Sequence, residues 1–382
     1  MTAVLDAPPI AAPAARRVRR SWLRRSVAAG WLVFVVAHLA LSGRWWLWSV
    51  VDIIPPLLFL VVPAVLLTAA LPMGAWAARL RGVRSRRPAV GLWQVRLLAV
   101  AALLLSHGLV GINPAALWPG AAPAGPPDLR VVSWNVEFWT QTDDPEHFYS
   151  YLRGFDADVY LLQEYLHTED GPVEIDDLSR VRSEFPGYQV IVAGELLTLS
   201  RLPVVGGGRL DAGDRLAATG LAVPADIAFR PYHVVKSLRT DVRVGDRVLS
   251  FYNTHQPVHL DTRISPLTGA FYDVPREQFG RRQVHLELLR DDLAGNPNPV
   301  LVAGDFNATA TSGEVAVLKS RLRDATPAMD SVYPSSWAFR GLPLWRLDWV
   351  FTSPELVVTR YLLRDQEGMS DHRAQEVTLR LG

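Results

Sequence analysis

Three long apolar stretches crowd the first third of this 382-residue chain, and they limit its fold more than any other feature. They are "SVAAGWLVFVVAHLALSG" (26–43), "WLWSVVDIIPPLLFLVVPAVLLTAALP" (46–72) and "GLWQVRLLAVAALLLSHGLVGI" (91–112). Each approaches or exceeds the roughly 20 residues that cross about 30 Å of hydrocarbon, so three transmembrane helices are expected over 26–112. Arg16, Arg17, Arg19, Arg20, Arg24 and Arg25 precede the first stretch, and "RLRGVRSRR" (79–87) separates the second from the third. Arg44 is the only arginine between the first two. Arginine-rich segments stay in the cytoplasm. Residues 1–25 are therefore expected to form a disordered, basic cytoplasmic tail, and everything beyond 112 to lie outside the cell. A cleaved signal peptide is disfavoured, because no small-x-small site follows the first stretch and two more spans do. Trp45, Trp46 and Trp48 fit an outer aromatic belt.

Polar residues inside a span are functional candidates by default, and His38, Asp52 and His107 all fall near the outer ends of their stretches. They form either one intramembrane cluster or three separate residues that meet water at the interface. Arg96 suits snorkelling to the inner face. Residues 113–127 are rich in Pro, Gly and Ala and read as a linker. Residues 128–382 are enough for one large soluble domain. The chain has no cysteine, which excludes disulfides, thiolate zinc sites and cysteine nucleophiles.

Within that domain, apolar runs of strand length repeatedly stop at polar residues. "LRVVSWNVEF" (129–138) carries Asn135, "DADVYLLQEY" (156–165) ends at Glu164, and "RVLSFYNTHQP" (247–257) ends at His255. "LVAGDFNATATS" (301–312) ends at Asp305 and Asn307, "WRLDWVFTS" (345–353) contains Asp348, and "GMSDHRAQEVTLRL" (368–381) offers Asp371 and His372. Taken singly, each is an ordinary cap or turn residue. Strands of one sheet place their ends along a common edge, however, and that edge would gather all of these groups. Carboxylate and amide oxygens without sulfur favour Mg²⁺ or Mn²⁺. Two histidines add a base and a hydrogen-bond donor near neutral pH. The sequence has no P-loop, nucleophile elbow or dinucleotide-binding glycine pattern. Metal-assisted hydrolysis of a phosphate ester fits best. A helix is predicted over 276–294, after Pro275, and a hairpin over 239–252 that turns at Gly245-Asp246. The segment 259–275, with Ile264, Leu267, Phe271 and Tyr272, is either a lip for apolar chains or a packed loop.

The ordered set "SWNVEF", "LLQE", "LSRLPV", "NTH", "AGDFNAT", "RLDWVF" and "SDH" resembles the endonuclease/exonuclease/phosphatase superfamily, across essentially 128–382. The resemblance implies an α+β fold, a two-sheet β-sandwich flanked by helices in four layers, with the site at one edge. It also implies roles. Glu164 would be the main Mg²⁺ ligand, helped by Asn135, with Asp371 supporting the metal or the phosphate. His372 would be the general base or orient the water, and Asp348 would hold its tautomer. His255 and Asn307 would contact phosphate oxygens, and Asp305 would position or activate the attacking water. Asp371 and His372 are adjacent, so they can share a site only if their segment is a loop.

The arrangement of three spans before such a domain also resembles a bacterial subgroup that includes teicoplanin-resistance-type proteins. That likeness implies a lipid-linked substrate such as a polyprenyl phosphate or pyrophosphate. The leading expectation is a multi-pass, membrane-anchored phosphoesterase acting outside the cell on a lipid-linked phosphate. An extracellular Mg²⁺-dependent nuclease is the alternative, disfavoured because the motif-bearing loops carry only scattered arginines. A non-catalytic membrane sensor is the second alternative. The sequence leaves the oligomeric state open.

Overall fold

A computed structural model describes residues 12–71, 92–118, 129–139, 144–169, 171–260, 264–265 and 267–382. The chain divides into two compact units, residues 1–41 with 57–110 and residues 42–56 with 111–382. The Arg-rich loop at 79–87 and most of the linker fall outside the described residues.

The first unit is helical, with helices Ala12–Leu41, Leu58–Ala69 and Leu92–Ser106. Ala28, Leu66, Val95 and Ala99 pack together, while Val33, Val65, Leu97 and Leu104 remain exposed. Among the described residues, two helical stretches, Trp22–Leu41 and Leu92–Leu109, are long and apolar enough to cross a membrane. The expected second span is not one helix. Residues 46–52 form two short turns, Pro55-Pro56 breaks the chain, and the apolar helix Leu58–Ala69 has 12 residues, about 18 Å long. Asp52 and the tryptophans at 45, 46 and 48 therefore belong to the second unit. His38 is buried against the ring of Phe59, and His107 is exposed, with Nδ1 against the Leu104 carbonyl.

Among the described residues, the second unit has sixteen strands. The first eight are β1 (Leu129–Asn135), β2 (Val159–Gln163), β3 (His167–Thr168), β4 (Pro172–Val173), β5 (Gln189–Ala193), β6 (Leu196–Ser200), β7 (Val204–Asp211) and β8 (Val235–Val244). The others are β9 (Arg247–His255), β10 (Val300–Asp305), β11 (Arg323–Asp324), β12 (Trp337–Phe339), β13 (Leu342–Trp345), β14 (Asp348–Thr352), β15 (Leu356–Arg364) and β16 (Ala374–Leu381). Twelve of them build two six-stranded sheets, in the orders β15-β16-β1-β2-β6-β5 and β11-β14-β10-β9-β8-β7, and β3-β4 and β12-β13 form two-stranded sheets. Each six-stranded sheet has one parallel pair near its centre, β1 with β2 and β9 with β10. The predicted hairpin is β8–β9, turning at Gly245 with φ +61°.

Side-chain alternation explains the layers. Val131, Val159, Leu161, Phe251, Leu301, Ala303 and Val377 fill the space between the sheets. The alternate residues Val132, Trp134, Tyr160 and Leu162 face outward onto Phe148, Tyr149, Leu152 and Phe185. Phe148, Tyr149 and Leu152 lie on the helix Pro145–Gly154, which starts where the Asp144 carboxylate accepts from the His147 amide. On the other sheet, Tyr252, Val300, Val302, Trp349 and Phe351 pack with Leu289 of the helix Gly269–Gly295. That helix begins two turns earlier than its periodicity suggested. Thr268 supplies the extended residue before it, and Pro275 is accommodated inside. Helix, sheet, sheet and helix thus stack in four layers.

Gly304 ties the two central strands of the second sheet at the point where the site begins. Its φ is +147°, and a Cβ there would sit 1.9 Å from the Thr254 carbonyl oxygen. Gly304→Ala should therefore lower stability by at least about 3 kcal/mol, since backbone cannot yield as a side chain can. Thermal melting checks this, and an unchanged melting temperature would remove the constraint.

Candidate active site

The parallel pairs carry their functional groups to one edge. Asn135, Glu164, His255, Asp305, Asn307, Asp371 and His372 all line one cleft of about 840 Å³. Two of them sit in left-handed backbone, Glu164 with φ +63° and Asn307 with φ +47°. In Glu164 this turns the residue after β2 back into the cleft, at a cost of roughly 1–3 kcal/mol that the surrounding fold must carry.

Asn135 links the acidic groups. Its amide nitrogen donates to Glu164 Oε1 at 2.9 Å and to Asp305 Oδ2 at 3.1 Å, and its oxygen accepts from the Glu137 amide. Glu164 Oε2 accepts from the Phe138 amide. Burial pushes the Glu164 and Asp305 carboxyls above the usual range, against the pull of nearby histidines. Asn307 closes the turn after β10, with its amide donating to Asp305 Oδ1 at 2.7 Å and its side chain to the Gln256 carbonyl.

His372 and His255 are each held from behind by a carboxylate. His372 Nδ1 lies 2.8 Å from Asp348 Oδ2, and its Nε2 faces Asp305 Oδ2 and Asp371 Oδ1, both at 3.6 Å. Burial disfavours the imidazolium, but Asp348 and Asp305 outweigh it and raise the His372 pKa well above the ordinary value. Asp371 and His372 do share the cleft, because 365–373 is a loop that turns through Gly368 at φ +79°. Asp371 Oδ2 accepts from the Trp337 indole at 2.6 Å. His255 Nδ1 lies 3.0 Å from Glu195 Oε2, and its Nε2 points at Glu164 and Asp305.

Glu195 and its partner Lys236 escaped the sequence reading. A lone acid in the apolar run "AGELLTLS" was the available signal. Glu195 is fully buried and paired with both His255 and Lys236. These partners hold its carboxyl down to about 2, overcoming the burial that would raise it. The folded state gains from this at neutral pH, and the gain is lost as pH falls from the ordinary carboxylate range through about 2. Glu195→Gln leaves Lys236 buried without its counter-charge. It should cost about 3–5 kcal/mol, read from denaturant unfolding at pH 7. A loss below 1 kcal/mol would show that the pair is dispensable.

The donor set suits a hard divalent cation. Glu164 and Asp305 present carboxylate oxygens to the cleft, one amide apart, as a hard cation requires. Ligand atoms of Asp305, Asp348 and His372 also lie within 4.8 Å of one another. Asp348, however, is fully buried behind the His372 imidazole, so the cleft-facing Glu164–Asp305 side fits a cation better. Asn135 turns its nitrogen rather than its oxygen to these carboxylates, and Asp371 lies on the His372 side.

A family model described as "Endonuclease/Exonuclease/phosphatase family" matches residues 132–372, which includes every residue above. The chain belongs to the endonuclease/exonuclease/phosphatase family. Members of this family are hydrolases of phosphoester bonds. Solved structures to which the chain is similar include a family protein from Leptotrichia buccalis C-1013-b, with 15% identity over 66% of this chain and 100% of that one, at TM-score 0.47. Another is truncated Caenorhabditis elegans TDP2, with 19% identity, 66% and 97% coverage and TM-score 0.44. A third is a 3′ phosphatase from Neisseria bound to product DNA hairpin, with 15% identity, 66% and 99% coverage and TM-score 0.45. No curated protein sequence matches the chain.

Proposed function

We propose that this family member is a Mg²⁺- or Mn²⁺-dependent phosphoesterase, anchored in the cell membrane with its catalytic unit outside, that acts on a lipid-linked phosphate. One observation carries the substrate reading: an acidic floor and an apolar wall share a single cleft. Ile53, Val258, Leu260, Trp337, Phe339 and Trp345 line it beside Glu164, Asp305 and His372. An amphipathic phosphate matches both surfaces, whereas a nucleic acid strand needs a basic track. Among the described lining residues the acids are Asp52, Glu137, Glu164, Glu169, Asp305 and Asp371, against Lys236, which Glu195 already engages. Phe271 and Tyr272, expected at the mouth, are on the helix Gly269–Gly295 and do not line the cleft.

The chemistry follows from the site. Asp305 holds the attacking water, with its other contacts fixed by Asn135 and the Asn307 amide. His372, kept cationic by Asp348 and Asp305, donates to a phosphoryl oxygen and offsets the charge that develops there. His255 binds a second oxygen, oriented by Glu195. When bound, the cation would polarise the phosphoryl group and lower the pKa of the water.

The full-length protein in liposomes tests this reading. Phosphate release should be fastest from a polyprenyl phosphate or phospholipid in the same bilayer, because anchoring raises its effective concentration. A water-soluble phosphodiester should be cleaved slowly and DNA barely. Cleavage of DNA alone would transfer the reading to the nuclease.

A further inference from the structure

We propose that residues 42–56, the connector between the first two apolar helices, are a working part of the active site. Its residues Asp52 and Ile53 act as positioning residues for the loop that carries Asp305 and Asn307. The proposal does not depend on which phosphoester is the substrate.

The connector belongs to the catalytic unit and grips the stretch just after the site motif. The Asp52 carbonyl oxygen lies 3.1 Å from the Thr309 hydroxyl and 3.0 Å from the Thr311 hydroxyl, and both threonines are buried. The two hydroxyls are 2.6 Å apart, so three oxygens share two protons in one tight network. Ser42 Oγ accepts from the Gly313 amide at 2.7 Å and donates to the Thr311 carbonyl. Backbones approach so closely there that a Cβ on Gly313 would meet the Ser42 carbonyl oxygen at 2.3 Å. On the other side, the Trp345 indole donates to the Ile53 carbonyl at 2.8 Å. The helix Gly269–Gly295 packs on the turns at 46–52.

These contacts bracket the site. Thr309 is two residues from Asn307 and four from Asp305, and it lines the same cleft as Asp52 and Ile53. Trp345 belongs to the β12–β13 hairpin, whose Trp337 holds Asp371. The connector therefore fixes one wall of the cleft and both loops that flank the catalytic groups. A chain begun after residue 112 would lack this wall even though it keeps every family motif.

Two full-length experiments test the connector. The Thr309→Val/Thr311→Val pair removes both hydroxyls from the Asp52 carbonyl. It should lower kcat on a small water-soluble phosphodiester by about tenfold or more with little change in KM, since misplacement rather than lost binding is the defect. The Thr309→Ser/Thr311→Ser pair should restore kcat to within about twofold, which a packing defect would not predict. The chain has no cysteine, so Ile53→Cys gives a single thiol. A bulky maleimide there should abolish turnover, and inorganic phosphate with Mg²⁺ should slow the labelling. Val192→Cys, exposed on β5, should label without loss and without protection. If the chain hydrolysed no phosphoester, the proposed function would fail, yet phosphate protection of the Ile53→Cys thiol would still support the connector's place in the site. Wild-type kcat in the valine pair, or phosphate-insensitive labelling at Ile53→Cys, overturns the proposal.

Discussion

His372→Ala should lower turnover on any phosphoester by about 10²–10⁴-fold, the usual loss when a positioned proton-handling side chain is removed. Divalent-cation affinity should change little, because the cleft-facing carboxylates of Glu164 and Asp305 remain. The pH profile identifies how His372 acts. Its partners Asp348 and Asp305 raise its pKa well above the ordinary histidine value, so the imidazolium persists through neutrality. Activity should then fall on the alkaline side as the proton leaves. Asp348→Asn removes the partner on Nδ1, so this alkaline limb should move to lower pH. Activity that rises through the same range would make His372 a general base instead. Wild-type turnover in His372→Ala would remove it from the reaction.

Glu164→Gln should weaken divalent-cation affinity by more than the 10- to 100-fold that losses in outer coordination shells cost. Glu164 presents its carboxylate to the cleft through a left-handed residue and two hydrogen bonds, which set its position before the cation arrives. At saturating cation the variant should recover part of its rate, which separates it from His372→Ala. Calorimetric titration with Mg²⁺ measures the first effect directly. Equal affinities in the two proteins would place the cation elsewhere, with Asp305, Asp348 and His372 the next set to test.

The sequence made the strand-end groups legible because each lies at the end of its own apolar run, and parallel strands carry their ends to one side. Glu195 was harder to find: its role depends on His255 and Lys236, 60 and 41 residues away in sequence. Asp348 was readable as a partner of His372 only through the family resemblance. The least legible element was the connector. Apolar composition made 46–72 look like one membrane span, but Pro55-Pro56 splits it, and residues before the split serve the catalytic unit. Hydropathy reports transfer into an apolar phase and does not distinguish lipid from the flank of an active site. Asp52 and Ile53 fall inside that apolar run, yet belong to the second unit.

The most direct test is phosphate release by the full-length protein in lipid bilayers that contain a lipid phosphate. It should be measured with Mg²⁺, with a chelator, and with folded Asp305→Asn protein. Hydrolysis that needs Mg²⁺, stops with chelator and is largely lost in Asp305→Asn is the predicted result. Lipid-phosphate binding without turnover, or turnover that survives both the chelator and the substitution, would contradict a phosphoesterase built on this cleft.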